Sequence, residues 1–322
     1  MENSKRSEII DLIIVGGGPG GLTSGLYAAR SHLNALLIEG SSTLSQITYS
    51  EQVENYPGFP EGIGGFELID RFKKQGIRFG LKVVASDITG LAPGQENGRK
   101  IWEVRTEDVS YRAIACIVAT GTSWRKLGIP GEDNLVGKGI SYCGTCDGPF
   151  FRDREIVVVG GGDTAVGEAV YLTRFASKVT VVHRRDRLRA SAVLQKRALE
   201  NPRINFIWNS VPEEILGSES VTGILLRDKV SGEKTELQTQ GVFVFIGLDP
   251  NTGFISGLCD IDNSGYIRVD EAMKTSAEGL FACGDCTCKV LRQVVTACGD
   301  GATAAYSAQE YIDEWKGRAY GS

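Results

Sequence analysis

Twice in this chain an apolar run breaks into a glycine turn and re-emerges as a helix. Asp11 to Val15 opens into Gly16-Gly17-Gly18-Pro19-Gly20-Gly21, and Leu22 to Arg30 follows with apolar residues at helical spacing. A second apolar run, Ala35 to Ile38, ends on Glu39, 21 residues after Gly18. Later, Ile156 to Val159 runs into Gly160-Gly161-Gly162-Asp163-Thr164-Ala165, and Val166 to Thr173 reads as the next helix. The strand after it, Val179 to Val182, ends on His183-Arg184-Arg185, with His183 again 21 residues after Gly162. Strand, glycine turn, helix and strand make a βαβ unit whose glycines let a backbone approach a pyrophosphate. One such motif is also compatible with a plain tight turn. Two copies, each with a partner residue at the same distance, point to two nucleotide sites.

The two copies differ where the difference matters. Glu39 can accept hydrogen bonds from the ribose of an adenine dinucleotide, which fits FAD or NAD. At the equivalent place the second unit carries His183, Arg184 and Arg185, with Arg189 four residues on and able to join them if the segment turns helical. Guanidinium groups bind phosphate in fork geometry and a carboxylate would repel it, so this unit fits the 2′-phosphate of NADPH. A solvated basic patch is the alternative for the same residues.

Further strands are expected at Trp102 to Arg105, at Ala113 to Ala119 stopping on Thr120-Gly121, and at Gly241 to Ile246 leading to Gly247. Gly279 to Asp285 reads as another strand-to-turn junction, where Asp285 can bond a ribityl or ribose hydroxyl. An amphipathic helix follows from about Gln293 to Tyr311. We read an α/β protein with two Rossmann-like, three-layer nucleotide-binding domains, one inserted in the other. Residues 1–120 and 247–322 form the FAD-binding domain and 121–246 the NADPH-binding domain, with hinges near Thr120 and Gly247. A tandem arrangement with an independent C-terminal domain is the alternative. The length, 322 residues, suits two domains, and 41 glycines, about twice the usual share of roughly 7%, suit many backbone–ligand approaches.

Thirty-five basic and forty acidic side chains give a net charge of −5, which excludes the footprint of a nucleic-acid binder. No apolar run approaches the roughly 18 residues that span a bilayer, and no signal peptide is legible, so a cytoplasmic protein without a membrane role is expected. Eight cysteines are too few for a disulfide scaffold in a chain of this length, and suggest a redox or metal role for some. Cys143-Gly144-Thr145-Cys146, beside a βαβ unit, reads as a redox dithiol, with Asp147 next to it as the acid or base that moves the proton. A Cys₄ metal set completed from Cys283, Cys286, Cys288 and Cys298 is the competing reading. A hydride is a two-electron carrier and a disulfide a two-electron acceptor, so a flavin between them makes one enzyme of the three parts.

As a set and in this order, these motifs resemble the low-molecular-weight NADPH-dependent thioredoxin reductases over nearly the whole chain. The resemblance also draws on Val53-Glu54-Asn55-Tyr56-Pro57-Gly58, Gly284-Asp285 and Arg292-Gln293. It implies a homodimer of FAD and NADPH domains in which the NADPH domain rotates, and electron transfer from NADPH through FAD to thioredoxin or a thioredoxin-like protein. It implies that Cys146 faces the flavin and forms a charge-transfer pair with it, that Cys143 attacks the partner's disulfide, and that Asp147 donates the proton. Gln46, Asn55, Asp285, Arg292 and Gln293 would contact FAD.

The chain departs from the family at Leu44-Ser45, where glycines are usual before Gln46, at Gly144, commonly Ala, and at Gly167, usually an acid. Cys283, Cys286, Cys288 and Cys298 stand where the family mostly has small or apolar residues. They read as packed side chains, with an accessory redox pair as the functional alternative. A related flavin enzyme fed by reduced ferredoxin, a dithiol oxidase, and a redox-sensing nucleotide binder are the competing functions. His32 reads as a surface or capping residue, Phe206 and Trp208 as core, and Asp313 to Ser322 as a frayed tail.

Overall fold

The computed structural model describes residues 9–41, 45–49, 53, 55–142 and 144–318. They divide into two compact units: residues up to Ser123 with those from Asp249 onward, and Trp124–Leu248.

The first unit opens with β1 (Ile10–Val15), α1 (Pro19–Arg30) and β2 (Ala35–Glu39), the strands parallel with Leu12 opposite Ala35. Then come α2 (Gly65–Arg78), β3 (Lys82–Ala85), the hairpin of β4 (Ile88–Glu96) and β5 (Arg99–Thr106), and β6 (Ser110–Val118). Asn97 and Gly98, both with positive φ (51° and 76°), make the turn between β4 and β5, the backbone that a two-residue hairpin loop requires. The sheet runs β3-β2-β1-β6-β5-β4, so β1 lies between the strand after its own helix and the returning β6. That is the crevice position where open α/β sheets bind ligands.

Successive side chains of a strand point to opposite faces, and β1 serves two cores accordingly. Leu12 and Ile14 join Leu22 of α1 and Ala304 and Ile312 near the chain's end, whereas Ile13 and Val15 join Trp102, Val104, Ile255 and Ile267. Burial on both faces is why the strand reads as a continuous apolar run instead of alternating.

The chain leaves the first unit in β7 (Thr122–Trp124). The second unit then holds α3 (Glu132–Leu135), β8 (Ile140–Ser141), α4 (Gly144–Asp147), β9 (Glu155–Gly160), α5 (Asp163–Leu172), β10 (Lys178–Val182), α6 (Ala192–Leu199) and β11 (Ile204–Ile207). An antiparallel sheet of β12 (Ser210–Leu216), β13 (Gly223–Asp228) and β14 (Lys234–Gln238) precedes β15 (Gly241–Phe245). The parallel sheet has the order β11-β10-β9-β15-β8. Ile156 and Val158 of β9 pack with Val166, Ala169 and Leu172 of α5, while Val157 and Val159 pack with Ile215, Ile224 and Leu226 of the antiparallel sheet. Helix, parallel sheet and antiparallel sheet are thus three layers.

The chain returns through β16 (Leu248–Pro250), which pairs with β7. β17 (Leu280–Ala282) then lies parallel to the end of β6, Phe281 opposite Ile117, while β5 pairs with the beginning of the same strand. The last helix, α7 (Val294–Trp315), is longer than the expected one and has Gln293 as its N-cap. The expected fraying from Asp313 does not occur up to Arg318. Trp315 donates its indole N–H to Lys100 O at 3.0 Å, and the Arg99 guanidinium lies over its ring. Long-range contacts of this kind are invisible to composition.

Candidate redox and nucleotide sites

In the first unit the glycine turn is shaped by close backbone approaches. Gly16 has φ +120°, and a β-carbon on it would lie 2.2 Å from Ala119 O. A β-carbon on Gly21 would lie 1.9 Å from Gly16 O. Gly18 is the N-cap of α1 and its own β-carbon would meet only Ser45 Oγ, at 3.4 Å, so that side of the turn is open. No side chain caps α1 and no acid lies in its first turn, which leaves amide donors and the positive helix end for an anion. Glu39, at the end of β2, pairs through Oε1 with Lys73 Nζ at 2.5 Å, while Oε2 faces Gly17.

Side chains far apart in sequence meet around this turn. Asn55 donates to Gln293 Oε1 at 2.7 Å, and Gln46 donates to Thr122 O at 2.6 Å. Thr120 donates to Asn251 O at 2.7 Å, and Gly121, with φ +64°, accepts the Asn251 amide. Arg292 donates to Asp285 O and Thr287 O, both at 3.3 Å, and lies 4.0 Å above the Tyr266 ring. Asp285 carries a buried Oδ1 with no hydrogen-bond partner among the described residues. Burial raises the affinity of that carboxyl for a proton, opposed by the positive charges of Lys289 and Arg292. A buried, unsatisfied acceptor beside an open pyrophosphate cradle fits a dinucleotide that brings hydroxyl donors, as the ribityl chain of a flavin does.

The second unit repeats the cradle. A β-carbon on Gly160 would lie 2.4 Å from Phe245 O, and Gly162, the N-cap of α5, has open space where a side chain would be. Asp163 is engaged locally, since its Oδ1 accepts the Ser191 amide at 2.6 Å, and Thr164 is exposed next to it. His183 is buried against the turn: a β-carbon on Gly161 would lie 2.3 Å from its Nδ1, and its Nε2 has no partner among the described residues. Burial and the charges of Arg189, Arg184 and Arg185 push its pKa down, so it is neutral at pH 7. Arg184, Arg185 and Arg189 are exposed, and no ion pair engages them among the described residues. Arg189 reaches this place without a helix, because its amide donates to Gly161 O at 2.7 Å while α6 begins only at Ala192. Phe206 and Trp208 stack at 4.9 Å and pack on the core of this unit.

Of the redox motif, Cys143 and the side chain of Cys146 lie outside the described residues, as do Leu44 and Glu54. The backbone of Cys146 belongs to α4, whose last residue, Asp147, is half-buried. Asp147 lines a groove of about 1020 Å³ together with Phe150, Phe151, Arg154 and Gln240, and Phe150 is 73% exposed there. Just before Cys143, Tyr142 is fixed: its hydroxyl donates to Glu132 Oε1 at 2.7 Å and its ring stacks on Trp124.

One buried group escaped the sequence reading. Glu168 lies on α5 between Ala165, Ala169 and Leu172, all buried. Its Oε2 is buried without a partner among the described residues, and burial pushes its pKa up to about 7. An acid inside an apolar helical stripe was the available signal.

The six described cysteines outside the redox motif are free in the structure. Cys283 Sγ faces Ser24 Oγ at 3.6 Å, Cys286 Sγ donates to Cys283 O at 3.3 Å, Cys288 Sγ donates to Asp262 Oδ2 at 3.4 Å, and Cys298 lies by Tyr56 and Pro19. Burial pushes the thiol of Cys286 up to about 11, so it stays protonated and unreactive. Among the described residues no cluster of His, Cys, Asp and Glu could hold a metal ion, and no helix is long and apolar enough to cross a membrane.

The sequence model of the pyridine nucleotide-disulphide oxidoreductases matches residues 10–301. The thioredoxin reductase of Bacillus subtilis is 46% identical over 310 residues, covering 96% of each chain. The crystal structure of Lactococcus lactis thioredoxin reductase in its FR conformation matches with a TM-score of 0.89 at 42% identity, covering 95% of this chain and 99% of that one. A ferredoxin-flavin thioredoxin reductase from Clostridium acetobutylicum matches with a TM-score of 0.51 at 29% identity, covering 96% and 98%.

Proposed function

This chain belongs to the pyridine nucleotide-disulphide oxidoreductases and, within them, to the thioredoxin reductases, and from that premise we propose how its residues divide the work. The first unit holds FAD and the second NADPH, and electrons pass to the Cys143–Cys146 disulfide and on to the disulfide of a thioredoxin-like protein. When bound, the flavin carries the two electrons of a nicotinamide hydride to a disulfide.

The observation that carries the reading is the contrast between two like turns. Glu39, held by Lys73, stands at one, and Arg184, Arg185 and Arg189, without ion pairs among the described residues, surround the other. The amides after Gly16, Gly18 and Gly21 cradle one pyrophosphate, with Asp285 Oδ1 accepting a hydroxyl and Gln46, Asn55, Thr120, Gly121, Arg292 and Gln293 lining the site. Gly160, Gly162 and Thr164 would cradle the second, Asp163 fixes its wall through Ser191, and the arginines near neutral His183 would hold the 2′-phosphate.

Asp147 delivers a proton at the dithiol, and Cys143 attacks the partner's disulfide. The groove beside Asp147, with the exposed ring of Phe150, offers that partner an apolar foothold. The same reading makes the protein a cytoplasmic homodimer, supported by the apolar side chains that α1 and α2 leave exposed, Tyr27, Phe66 and Ile77. A reduced ferredoxin as donor would leave the arginine cluster without a task, and the ferredoxin-flavin enzyme is 29% identical to this chain against 46% for the Bacillus subtilis thioredoxin reductase.

Anaerobic titration with NADPH and then NADH, following the visible flavin band, tests the assignment. NADPH should bleach the flavin at far lower concentration than NADH, with about four electrons taken up per flavin. No bleaching by either nucleotide would refute it.

A further inference from the structure

Glu168 has no place in the reactions described above, yet it is pressed against the redox segment. A β-carbon built on Gly144 would lie 2.0 Å from Glu168 Oε2, so the carboxyl occupies the space that any side chain at position 144 would need. By contrast, a β-carbon on Gly167 would meet only Leu194, at 3.9 Å, so that glycine is not demanded by packing. Gly144 follows Cys143 and precedes Cys146 by two residues, and consecutive Cα atoms are about 3.8 Å apart. The carboxyl is therefore tied to the dithiol through a very short stretch of chain.

Among the described residues Oε2 has no hydrogen-bond partner, and it is buried. The elements packed against α5 are α4, α6, β9, β10 and β15. Among their described charged groups, Asp147 of α4, Lys196 and Arg197 of α6, Glu155 of β9 and Lys178 of β10, none shifts the titration of Glu168; desolvation alone does.

We propose that Glu168 is a positioning residue for the dithiol that binds one proton when the Cys143–Cys146 disulfide is reduced and releases it on reoxidation. This rests on the thioredoxin-reductase reading, which supplies the two electrons. Reduction breaks the S–S bond and gives, at neutral pH, one thiol and one thiolate, with one proton taken up by sulfur. The new negative charge disfavours an ionised carboxyl nearby, so Glu168 takes a second proton from solvent in the same step. When the dithiol passes its electrons to the partner's disulfide, the S–S bond re-forms, the thiolate charge disappears and Glu168 returns its proton.

The test is the pH dependence of the Cys143–Cys146 equilibrium in the purified flavoprotein, poised against dithiothreitol mixtures from pH 6 to 8.5 and read by alkylation and mass spectrometry. Oxidising dithiothreitol releases two protons, so a wild type that takes up two keeps the equilibrium constant nearly level, and Glu168→Gln, which takes up one, should make it more pH-dependent across that range. A tenfold difference in its total change would correspond to about 30 mV for this two-electron couple. Gly144→Ala, which displaces the carboxyl while keeping it, should do the same, so the proposal stays testable if Glu168→Gln folds poorly.

Identical pH profiles for wild type and both variants would overturn the proposal. A wild type that NADPH does not reduce, but whose Cys143 and Cys146 equilibrate with dithiothreitol, would overturn the functional reading while the pH profiles still judge Glu168. Failure of the two cysteines to pair at all would overturn both.

Discussion

Replacing Glu132 should loosen the segment that leads into the redox motif, and the cost can be worked from its contacts. Glu132 is 2% exposed and sits at the start of α3. Its Oε1 accepts the Leu127 amide at 2.8 Å and the Tyr142 hydroxyl at 2.7 Å, and its Oε2 accepts the Gly128 amide at 2.7 Å. Three donors thus converge on one buried carboxylate. Gln keeps the shape but presents an NH₂ where one oxygen was, so at least one donor loses its acceptor and faces another donor.

A hydrogen bond to a charged group contributes about 1.5–3 kcal/mol, and a buried donor left unsatisfied costs about 1–3 kcal/mol. Glu132→Gln should therefore destabilise the protein by roughly 2–3 kcal/mol, a factor of about 30–150 in the folded-to-unfolded ratio. Tyr142→Phe removes one donor and should cost about 1–2 kcal/mol. The assay is a double-mutant cycle by urea denaturation, followed through tryptophan fluorescence, to which Trp124, stacked on Tyr142, contributes. If Tyr142→Phe costs as much in a Glu132→Ala background, which leaves the hydroxyl no acceptor there, as in wild type, the two residues are not coupled and the reasoning is refuted.

Other perturbations follow from the same geometry. Arg184→Ala and Arg185→Ala should each raise KM for NADPH about tenfold, the lower end for an exposed charge-assisted contact, and leave the slow reaction with NADH unchanged in steady-state kinetics. Gly21→Ala places a β-carbon 1.9 Å from Gly16 O, a backbone clash that should cost several kcal/mol, order-of-magnitude, and abolish flavin retention in the purified protein. Glu168 binds its proton more tightly folded than unfolded, so its contribution is complete below pH 4.5 and is lost as pH rises through about 7. Glu168→Gln should accordingly gain roughly 3 kcal/mol over wild type at pH 8 and almost nothing at pH 4.5, measured by urea midpoints at both. Among the six described thiols, exposed Cys288 should be alkylated first and Cys116, Cys283 and Cys286 only on unfolding, as peptide mapping would show.

Sequence alone determined what is encoded within about one βαβ unit. The glycine turns, the buried parallel strands beside them, the contrast of Glu39 with Arg184 and Arg185, and the C-x-x-C motif are local patterns, because turn geometry and helix or strand period are fixed by neighbours in the chain. Tertiary structure alone decided what depends on residues far apart meeting. Asn55 finds Gln293 and Trp315 finds Lys100 across more than two hundred positions. β6 is shared lengthwise between β5 and β17. The four extra cysteines have the composition of a metal or redox cluster, yet each sulfur turns to a different neighbour, since its direction is set by the element carrying it. Glu168 shows the limit most clearly. Its apolar helical face was legible, but the glycine that gives its carboxyl room lies on another element, and only packing brings the two together.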